Sequence, residues 1–472
     1  MQSFSSGTLL DEGSLAREAQ RLAGALSFLG LEAGDRVAVK LGNVPEWVAL
    51  RDAATALGLY LVPVNPKLTA PEVAHVIQAS GARLLITEPG APPGGVPTAV
   101  LSIESLRALG ERMSPGPAKP EGAVGATLLF TSGTTGRPKG CLRSEAQEQA
   151  RARELIRTYS LSHRDVHLIA CPLAHSAPGI FLRAARAASA RTVLLPKFDP
   201  REFLAAIQHY RATVFFLVPT QVQRLLALPH QERAAADLSS VRAVIVAGAP
   251  FSFEAKCKLI DWLGQGKLWE FYGSSETGTI TVLPPSEQPA PDGCVGWPPP
   301  GVRLKLVGDD GSLVPRGNVG EIFVSSDTVM EGYLEGQGRT GGFVSVGDLG
   351  RLDDKGRLVL VDRKNDMIIS GGLNVYPVEV ERALTEHPDV SAAIACGVPD
   401  SDWGEKVVAL VALKGGQETD ELTLKEFLRQ RLAPYKIPKH IVFVPHEELP
   451  LGGSGKPLRR EARKQLERLS QE

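Results

Sequence analysis

Helix-type and strand-type apolar patterns alternate along the first third of the chain, and this alternation limits the possible folds more than any other feature. Apolar residues recur at helical spacing across 15–29, and residues 37–41 then alternate as in a strand. A second helix-like stretch, 71–79, precedes the apolar residues 84–86. Helices that alternate with short apolar strands are typical of domains with a mostly parallel sheet. The sequence therefore predicts an α/β fold with mostly parallel sheets.

The pattern changes after a connector rich in proline and glycine, residues 284–301. From Val302 onward the strand-like runs are short, and turn signals such as Asp-Asp-Gly at 309–311 separate them. This pattern predicts a small β-rich part, similar to a barrel. After Arg363 the pattern returns to mixed helices and strands, which predicts an α+β segment.

Charge and cysteine spacing exclude several classes of protein. The 472 residues carry 52 Lys and Arg against 53 Asp and Glu, so the overall charge does not favour nucleic acid or an anionic membrane as a partner. The five cysteines are scattered without C-x-x-C spacing, which argues against a disulfide framework or a zinc knuckle. No apolar run approaches the roughly 18 residues of a membrane span, and the first residues lack the pattern of a signal peptide. We therefore expect a cytoplasmic protein without a membrane span.

A segment rich in glycines and hydroxyls follows a short apolar run. Residues 130–140 read Phe-Thr-Ser-Gly-Thr-Thr-Gly-Arg-Pro-Lys-Gly. Glycines let backbone N–H groups approach an anion, and hydroxyls with a lysine add donors for phosphate oxygens. The segment differs from the loop of the common nucleoside triphosphatases, because Arg137 and Pro138 separate Gly136 from Lys139. It predicts a phosphate-binding loop of another kind, with a solvated turn as the alternative on composition alone.

This segment resembles the signature loop of the adenylate-forming enzymes, which include acyl-CoA synthetases, luciferases and the adenylation domains of peptide synthetases. Four further segments follow in the family's order, at 272–277, 346–350, 362–372 and 453–460. The resemblance implies a large N-terminal domain, 1–361, that binds ATP and the acid, a hinge at 362–366 and a small mobile C-terminal domain, 367–472. The loop residues that it places on the phosphates are Thr131, Ser132, Gly133, Thr134, Thr135, Gly136 and Lys139.

The resemblance also implies contacts between the other segments and the nucleotide. Tyr272 is expected to stack on adenine, Glu276 to help hold Mg²⁺, and the Ser275 hydroxyl to reach a phosphate. Asp348 is expected to accept hydrogen bonds from both ribose hydroxyls, because its two carboxylate oxygens suit two neighbouring donors. Arg363 is also expected to reach the nucleotide. The cofactor-binding residues implied outside the loop are Gly248, Ala249, Tyr272, Gly273, Ser275, Asp348, Arg363, Gly371 and Gly372.

Catalytic roles are implied for Glu276, His175 and Lys456. Lys456, on a glycine-rich turn, is expected to bridge the acid's carboxylate and the α-phosphate during adenylation. His175 belongs to a segment similar to the family's acyl site. The small domain is then expected to rotate, so that Lys456 leaves and the turn at Gly371 and Gly372 admits the thiol.

The resemblance implies an acid–thiol ligase that uses ATP, Mg²⁺ and coenzyme A. The acid displaces pyrophosphate from ATP to form an acyl-adenylate, and CoA then takes the acyl group while AMP is released. The alternative acceptor is the phosphopantetheine arm of a carrier protein, which ends in the same thiol. A catalytically inactive binding protein is disfavoured, because Glu276, Asp348, Arg363 and Lys456 are all in place.

The identity of the acid is only partly constrained. Adenylation domains for α-amino acids usually carry Phe-Asp in the segment that residues 172–175 resemble. These residues hold no acidic side chain, so the resemblance disfavours an α-amino acid. A medium-sized apolar or aromatic acid is expected, with a dicarboxylate as the alternative if Arg183, Arg186 or Arg191 faces the pocket. Two further expectations are a solvated basic helix face at 459–468 and an oligomeric state of either monomer or homodimer.

Overall fold

The computed structural model describes residues 7–90, 95–116, 127–131, 139–334, 342–364, 366–370, 373–400, 403–452 and 456–469. The chain divides into two compact units. The first contains Met1–Ala290, Gly296–Leu304 and Val324–Val344, and the second contains Pro291–Val295, Lys305–Phe323 and Ser345–Glu472. This division does not test the predicted hinge at 362–366, which stays a prediction.

The helices account for most of the regular structure. In chain order they are α1 Glu12–Phe28, α2 Pro45–Leu57, α3 Ala70–Ser80, α4 Ile103–Gly110, α5 Glu145–Tyr159, α6 Ser176–Ala187, α7 Pro200–Tyr210, α8 Pro219–Leu226, α9 His230–Ala235, α10 Phe253–Leu263, α11 Pro377–Thr385, α12 Glu421–Arg429 and α13 Arg459–Leu469. Within the described part of the chain, every helix is too short or too polar to span a bilayer.

The strands form four sheets. In chain order they are β1 Thr8–Leu9, β2 Arg36–Lys40, β3 Tyr60–Pro63, β4 Leu84–Thr87, β5 Ala99–Ser102, β6 Thr127–Thr131, β7 Lys139–Arg143, β8 Val166–Ile169, β9 Arg191–Leu194, β10 Val214–Leu217, β11 Ala243–Val246, β12 Leu268–Ser274, β13 Gly278–Leu283, β14 Cys294–Gly296, β15 Arg303–Val307, β16 Gly320–Ser325, β17 Gly332–Tyr333, β18 Val344–Leu352, β19 Leu358–Arg363, β20 Ile368–Ser370, β21 Leu373–Val375, β22 Val390–Asp400, β23 Gly404–Leu413 and β24 His440–Phe443.

Local sequence explains where the first helices begin and end. Asp11 caps α1, because its side chain accepts a backbone N–H of the first turn. Gly58 ends α2 in the left-handed region, with φ of 70°. Leu15, Leu22 and Leu26 of α1 are buried, as their helical spacing predicts. Helix α1 therefore packs one apolar stripe into the core of the first unit.

The first sheet of the first unit has the order β17-β7-β6-β3-β2-β4-β5. Strands β6, β3, β2, β4 and β5 are parallel, whereas β7 and β17 are antiparallel to their neighbours. Helices α2 and α3 supply two of the crossovers that parallel strands need. The predicted helices 15–29 and 71–79 correspond to α1 and α3, and the predicted strands 37–41 and 84–86 to β2 and β4.

The second sheet of the first unit has the order β1-β9-β8-β10-β11-β12-β13. Its five middle strands are parallel, and β1 and β13 lie antiparallel at the two edges. The carboxyl ends of β10, β11 and β12 therefore lie side by side. Open α/β sheets bind ligands at this end of their strands. The predicted mostly parallel α/β architecture is confirmed.

The second unit combines a β-rich part with an α+β part. The sequence pattern predicted both parts but assigned the β-rich part to the N-terminal domain, 1–361. The five-stranded sheet has the order β14-β19-β18-β16-β15, and the C-terminal sheet has the order β21-β20-β23-β22 with β24 beside β23. Both faces of the C-terminal sheet are covered. Ala395 and Ala409 pack with α11 and α12 on one face, and Ile394 and Leu410 pack with α13 on the other. This alternation follows from the two-residue period of a strand.

Candidate active site

The predicted phosphate loop connects two paired strands. Phe130 pairs with Gly140, and Thr131 pairs with Lys139, in the antiparallel ladder of β6 and β7. The two ends of the loop are therefore held next to each other, and Lys139 lies at its base. The predicted loop residues that lie outside the described residues are Ser132, Gly133, Thr134, Thr135 and Gly136.

Lys139 and Glu276 both contact Tyr333, a residue that the sequence analysis missed. Lys139 Nζ lies 5.3 Å from the centre of the Tyr333 ring, and the Tyr333 hydroxyl donates to Glu276 Oε1 at 3.3 Å. Burial and the neighbouring Glu276 carboxylate raise the pKa of Tyr333, so its hydroxyl keeps its proton at neutral pH. Tyr333 thus joins two predicted site residues that are distant in sequence.

A buried arginine holds the turn that carries Glu276. Arg143 is fully buried, and its Nε donates to the Ser275 carbonyl at 2.8 Å while its Nη1 donates to the Thr328 carbonyl at 2.6 Å. Within the turn, the Ser274 hydroxyl accepts the Glu276 backbone N–H at 3.2 Å. Because Arg143 belongs to β7, the turn is tied directly to the strand that begins at the base of the phosphate loop.

Gly273 lies where only a glycine fits. The register of β12 against β13 shifts between Tyr272 and Gly273. A Cβ atom on Gly273 would lie 2.1 Å from the carbonyl oxygen of Gly278, far inside van der Waals contact. The close approach of the two strands therefore determines the direction in which Tyr272 and the following turn leave the sheet.

The residues predicted to line the adenine pocket follow the ends of two neighbouring strands, β11 and β12, at the same edge of the sheet. Val246 of β11 pairs with Glu270 of β12 in a parallel ladder. Gly248 and Tyr272 therefore each lie two residues beyond a paired position. Gly248 has a φ of 95°, which favours glycine, and Ala249 follows it half-buried. The structure brings these residues together, and their contact with adenine stays a prediction.

The surroundings of Glu276 fit Mg²⁺. Its side chain is buried beside the base of the phosphate loop. The described ranges contain no group of three or more His, Cys, Asp or Glu residues that could hold a metal by themselves. Mg²⁺ commonly takes one or two protein carboxylates and completes its octahedron with phosphate oxygens and water. A single carboxylate here therefore suits an ion that arrives with a nucleotide.

His175 lies at the N-terminal end of α6, exposed, at the rim of a narrow cavity. Strands β3 and β6 and helices α2, α5 and α6 supply the walls. Arg183, Arg186 and Arg191, the three arginines considered for the acyl pocket, are not among the residues that line this cavity. Arg183 and Arg186 are paired with acidic side chains, and Arg191 is exposed at the start of β9.

In the second unit, the predicted ribose-binding residue and the predicted nucleotide-binding arginine are neighbours. Asp348 on β18 and Arg363 on β19 are partners across the antiparallel ladder, and Arg363 Nε lies 3.3 Å from Asp348 Oδ1. The next residue, Lys364, forms an ion pair with Glu321 at 2.9 Å. The structure brings Asp348 and Arg363 together, while their contacts with a nucleotide stay predictions.

The expectation of a solvated helix face at 459–468 is wrong for Arg459. Its Nη1 lies 3.0 Å from Asp366 Oδ2 and its Nη2 lies 2.8 Å from Glu381 Oε2, with 12% of the Arg459 side chain exposed. Burial raises the pKa of Glu381 to about 7 in spite of this partner. The prediction failed because an arginine at a helix end can form ion pairs with residues that are distant in sequence. Arg459 thus links α13 to α11 and to the end of the predicted hinge.

Lys456 is exposed at the base of the turn that carries it. Its carbonyl accepts the Gly452 backbone N–H at 2.8 Å, and residues 453–455 between them lie outside the described part. Gly371 and Gly372 also lie outside it, between the paired strands β20 and β21. The described residues therefore locate the attachment points of both predicted turns.

A loop whose sequence suits phosphates, a carboxylate suited to Mg²⁺ and an α/β sheet edge suited to a nucleotide together indicate an enzyme that uses a nucleotide. The chain belongs to the family of AMP-binding enzymes. The family model for AMP-binding enzymes matches residues 12–334, and the model for the AMP-binding enzyme C-terminal domain matches residues 379–456.

Named relatives cover nearly the whole chain. A feruloyl-CoA synthase from Amycolatopsis sp is 35% identical, over 98% of this chain and 94% of that protein. The fatty acid–[acyl-carrier-protein] ligase ScoC from Streptomyces coeruleorubidus is 32% identical, over 97% and 92%. Among solved structures, ATP-bound MatB from Rhodopseudomonas palustris has a TM-score of 0.86 and 29% identity, over 96% and 93%. These matches confirm the predicted family, the fold class and the enzyme class, an ATP-dependent acid–thiol ligase.

Proposed function

We propose that this enzyme condenses a carboxylic acid with ATP to an acyl-adenylate and pyrophosphate, and then transfers the acyl group to CoA with release of AMP. The observation that carries the proposal is the set of contacts that Arg143 and Tyr333 make. They unite the base of the phosphate loop with the turn that holds Glu276. The likeness to a named CoA synthase along the whole chain supports CoA as the acceptor.

The first half-reaction must bring two anions together. In this proposal the phosphate loop and Lys139 bind the phosphates, and Lys456 holds the acid's carboxylate against the α-phosphate. Glu276 would hold Mg²⁺, which would supply further neutralisation of phosphate charge when bound. The carboxylate oxygen attacks the α-phosphorus in line while the bond to pyrophosphate breaks. Positioning and electrostatics then carry the step, because no covalent bond to the protein is formed.

The proposed nucleotide contacts are those that the resemblance implies. Tyr272, Gly248 and Ala249 are proposed to contact adenine, and Asp348 and Arg363 to contact the ribose and the α-phosphate side. In the second half-reaction, Gly371 and Gly372 are proposed to border the path of the CoA thiol. The thiol sulfur attacks the acyl carbon, and AMP leaves.

A carrier protein is the second candidate acceptor, because ScoC, a named carrier-protein ligase, is also similar along the whole chain. Its phosphopantetheine arm presents the same thiol as CoA. Addition of CoA alone to enzyme that holds acyl-adenylate should release AMP if CoA is the acceptor. AMP release that requires a phosphopantetheinylated carrier would establish the second candidate. Location in the cytoplasm and the choice between monomer and homodimer stay predictions.

Substitution of Lys456 separates the two half-reactions. Lys456→Ala should lower pyrophosphate release by roughly 10²–10³ or more, as loss of a charge-stabilising donor does elsewhere. The variant should still form thioester from supplied acyl-adenylate and CoA. Lys464→Ala, which removes an exposed ammonium from α13, is the matched control and should leave both rates unchanged. Equal losses in both half-reactions of Lys456→Ala would contradict the assigned role.

A further inference from the structure

Glu148 on α5 lies at the centre of a buried network of charged side chains in the first unit. Its carboxylate oxygens lie 3.0 Å from Arg151, 3.7 Å from Arg51 and 4.0 Å from Arg143, measured to guanidinium nitrogens. All four side chains are buried. Burial alone would raise the pKa of Glu148, but the surrounding arginines outweigh burial and lower that pKa. The Glu148 carboxylate is therefore charged at neutral pH.

Other carboxylates near the network have arginines of their own. Glu145 pairs with Arg183, and Asp52 pairs with Arg186. These acids help to balance the charge of the region, whereas Glu148 is the carboxylate that the three arginines of the network share. Removal of one partner from a buried ion pair leaves the other charge poorly compensated. Loss of the Glu148 charge would therefore disturb all three arginines at once.

The first branch of the network leads to the turn that carries Glu276. Arg143 Nε faces Glu148 Oε1 at 4.0 Å and donates to the Ser275 carbonyl at 2.8 Å. Arg143 Nη1 donates to the Thr328 carbonyl at 2.6 Å. A guanidinium group is planar and presents its donors in a fixed fork, so the direction of one contact limits the directions of the others. The attraction of Glu148 therefore helps to aim Arg143 at the backbone next to Glu276.

The second branch leads to the N-terminal end of α6, where the segment that resembles the family's acyl site ends. Arg151 Nη1 donates to Glu148 Oε1 at 3.0 Å, and Arg151 Nη2 donates to the Ser176 hydroxyl at 2.9 Å. Arg51 Nη2 lies 3.7 Å from Glu148 Oε2, and Arg51 Nη1 donates to the Gly179 carbonyl at 2.8 Å. The N-terminus of a helix favours negative over positive charge, so these two cations need a carboxylate beside them.

On the basis of the proposed function, we infer that Glu148 positions the binding groups for both substrates of the first half-reaction. Through Arg143 it supports the turn of the carboxylate that would hold Mg²⁺ with ATP. Through Arg151 and Arg51 it supports the helix end at which the acid is expected. Glu148 is 3% exposed, and it acts on both substrates through these arginines, so it is a positioning residue. The two subsites, which come from segments distant in sequence, thus share one buried charge.

Replacement of one carboxylate oxygen by an amide nitrogen tests the inference. Glu148→Gln keeps the shape of the side chain and removes its charge. The first measurement is the Mg²⁺ concentration for half-maximal binding of α,β-methylene ATP, an analogue that cannot release pyrophosphate, by calorimetry. The second is the KM for the acid in pyrophosphate release, with the best substrate from a broad panel of carboxylic acids. Each constant should rise about 3- to 10-fold, because the groups that bind each substrate lose part of their orientation.

A purely structural role of Glu148 predicts a different result. Neither constant depends on the fraction of active protein, so a structural role would lower stability and the maximal rate and leave both constants unchanged. A rise in neither constant, or in only one, would overturn the inference and leave the proposed function intact. If Glu148→Gln does not fold, Glu148→Asp, which keeps the charge on a shorter side chain, should show a smaller joint rise, and the same outcomes decide. Absence of pyrophosphate release with every acid of the panel, by folded wild-type enzyme that binds ATP, would overturn the proposed function itself.

Two further variants separate the branches and control for the loss of buried charge. Ser176→Ala removes the hydroxyl that Arg151 binds, so it should raise the KM for the acid and leave the Mg²⁺ constant unchanged. An unchanged KM in this variant would remove the second branch and overturn the inference. Asp165→Asn is the control, because Asp165 is a buried carboxylate that pairs with Arg242 at 2.6 Å just before β8, at the sheet edge opposite to the carboxyl ends of the strands. It should leave both constants unchanged, and a joint rise in this control would also overturn the inference.

Discussion

Removal of one hydroxyl group tests the link between Tyr333 and Glu276. Tyr333→Phe deletes the donor that contacts Glu276 Oε1 at 3.3 Å and keeps the ring that faces Lys139. A hydrogen bond to a charged group contributes about 1.5–3 kcal/mol, and the long distance places this one near the lower limit. A free-energy loss at that lower limit, in the interaction that orients the carboxylate, corresponds to about a 10-fold weaker binding of Mg²⁺. We therefore expect the Mg²⁺ concentration for half-maximal pyrophosphate release to rise about 10-fold.

The assay is a titration of Mg²⁺ at fixed ATP and acid, with the free energy of unfolding measured in parallel. Tyr210→Phe is the matched control, because Tyr210 also donates its hydroxyl, to the Gly7 carbonyl at 2.6 Å, at a place away from Glu276. The control should leave the Mg²⁺ dependence unchanged. An unchanged Mg²⁺ dependence in Tyr333→Phe, or an equal shift in Tyr210→Phe, would refute the reasoning that Tyr333 orients the metal-binding carboxylate.

Three further predictions concern closely packed residues. Arg143→Met should destabilise the first unit by about 2–6 kcal/mol in chemical denaturation, because one buried and one part-buried carbonyl lose their donor. A loss below about 1 kcal/mol would contradict this account. Gly273→Ala should abolish pyrophosphate release, because the added Cβ would lie 2.1 Å from the Gly278 carbonyl oxygen. Wild-type activity of this variant would show that β12 and β13 can separate freely. Burial raises the pKa of Glu381 from 4.5 to about 7, so the folded state binds the proton more tightly than the unfolded state does. The free energy of unfolding should therefore fall as the pH rises from about 4.5 to about 7. The Ala395 amide donates to Glu381, and over this pH range its hydrogen exchange should accelerate more than the intrinsic pH dependence of exchange predicts. In Glu381→Gln this additional acceleration should be absent.

Features that depend on neighbouring residues could be predicted from the sequence. The 3.6-residue and two-residue periods located α1, α3, β2 and β4, because burial of one face imposes them directly. The five motif segments were recognised by their resemblance to the adenylate-forming enzymes, and the family models confirm that family. Asp348 and Arg363 were singled out separately, and the structure pairs them across one ladder.

The contacts that hold the site together could not be predicted, because they join residues distant in sequence. Arg143 binds a carbonyl 132 residues away, and Tyr333 binds a carboxylate 57 residues away. A single arginine in a strand and a single tyrosine carry no local signal of such partners. The cavity beside His175 is a further example, because packing of α2 and α5 brings Arg51 and Arg151 to its wall although both are distant from His175 in sequence.

The anchorage of α13 has a kinetic consequence for Lys456. Arg459, three residues further on, is held by Asp366 and Glu381, and the Gly452 N–H binds the Lys456 carbonyl on the other side. The peptide that bears the Lys456 ammonium is therefore held on both sides by contacts within the second unit. In the predicted rotation of the small domain, Lys456 would move together with α13, on the microsecond-to-millisecond timescale of domain motions rather than the nanosecond timescale of a loose terminus. Loss of the Arg459 contacts would then be expected to alter the rate of that rotation, which replacement of Lys456 itself would not test.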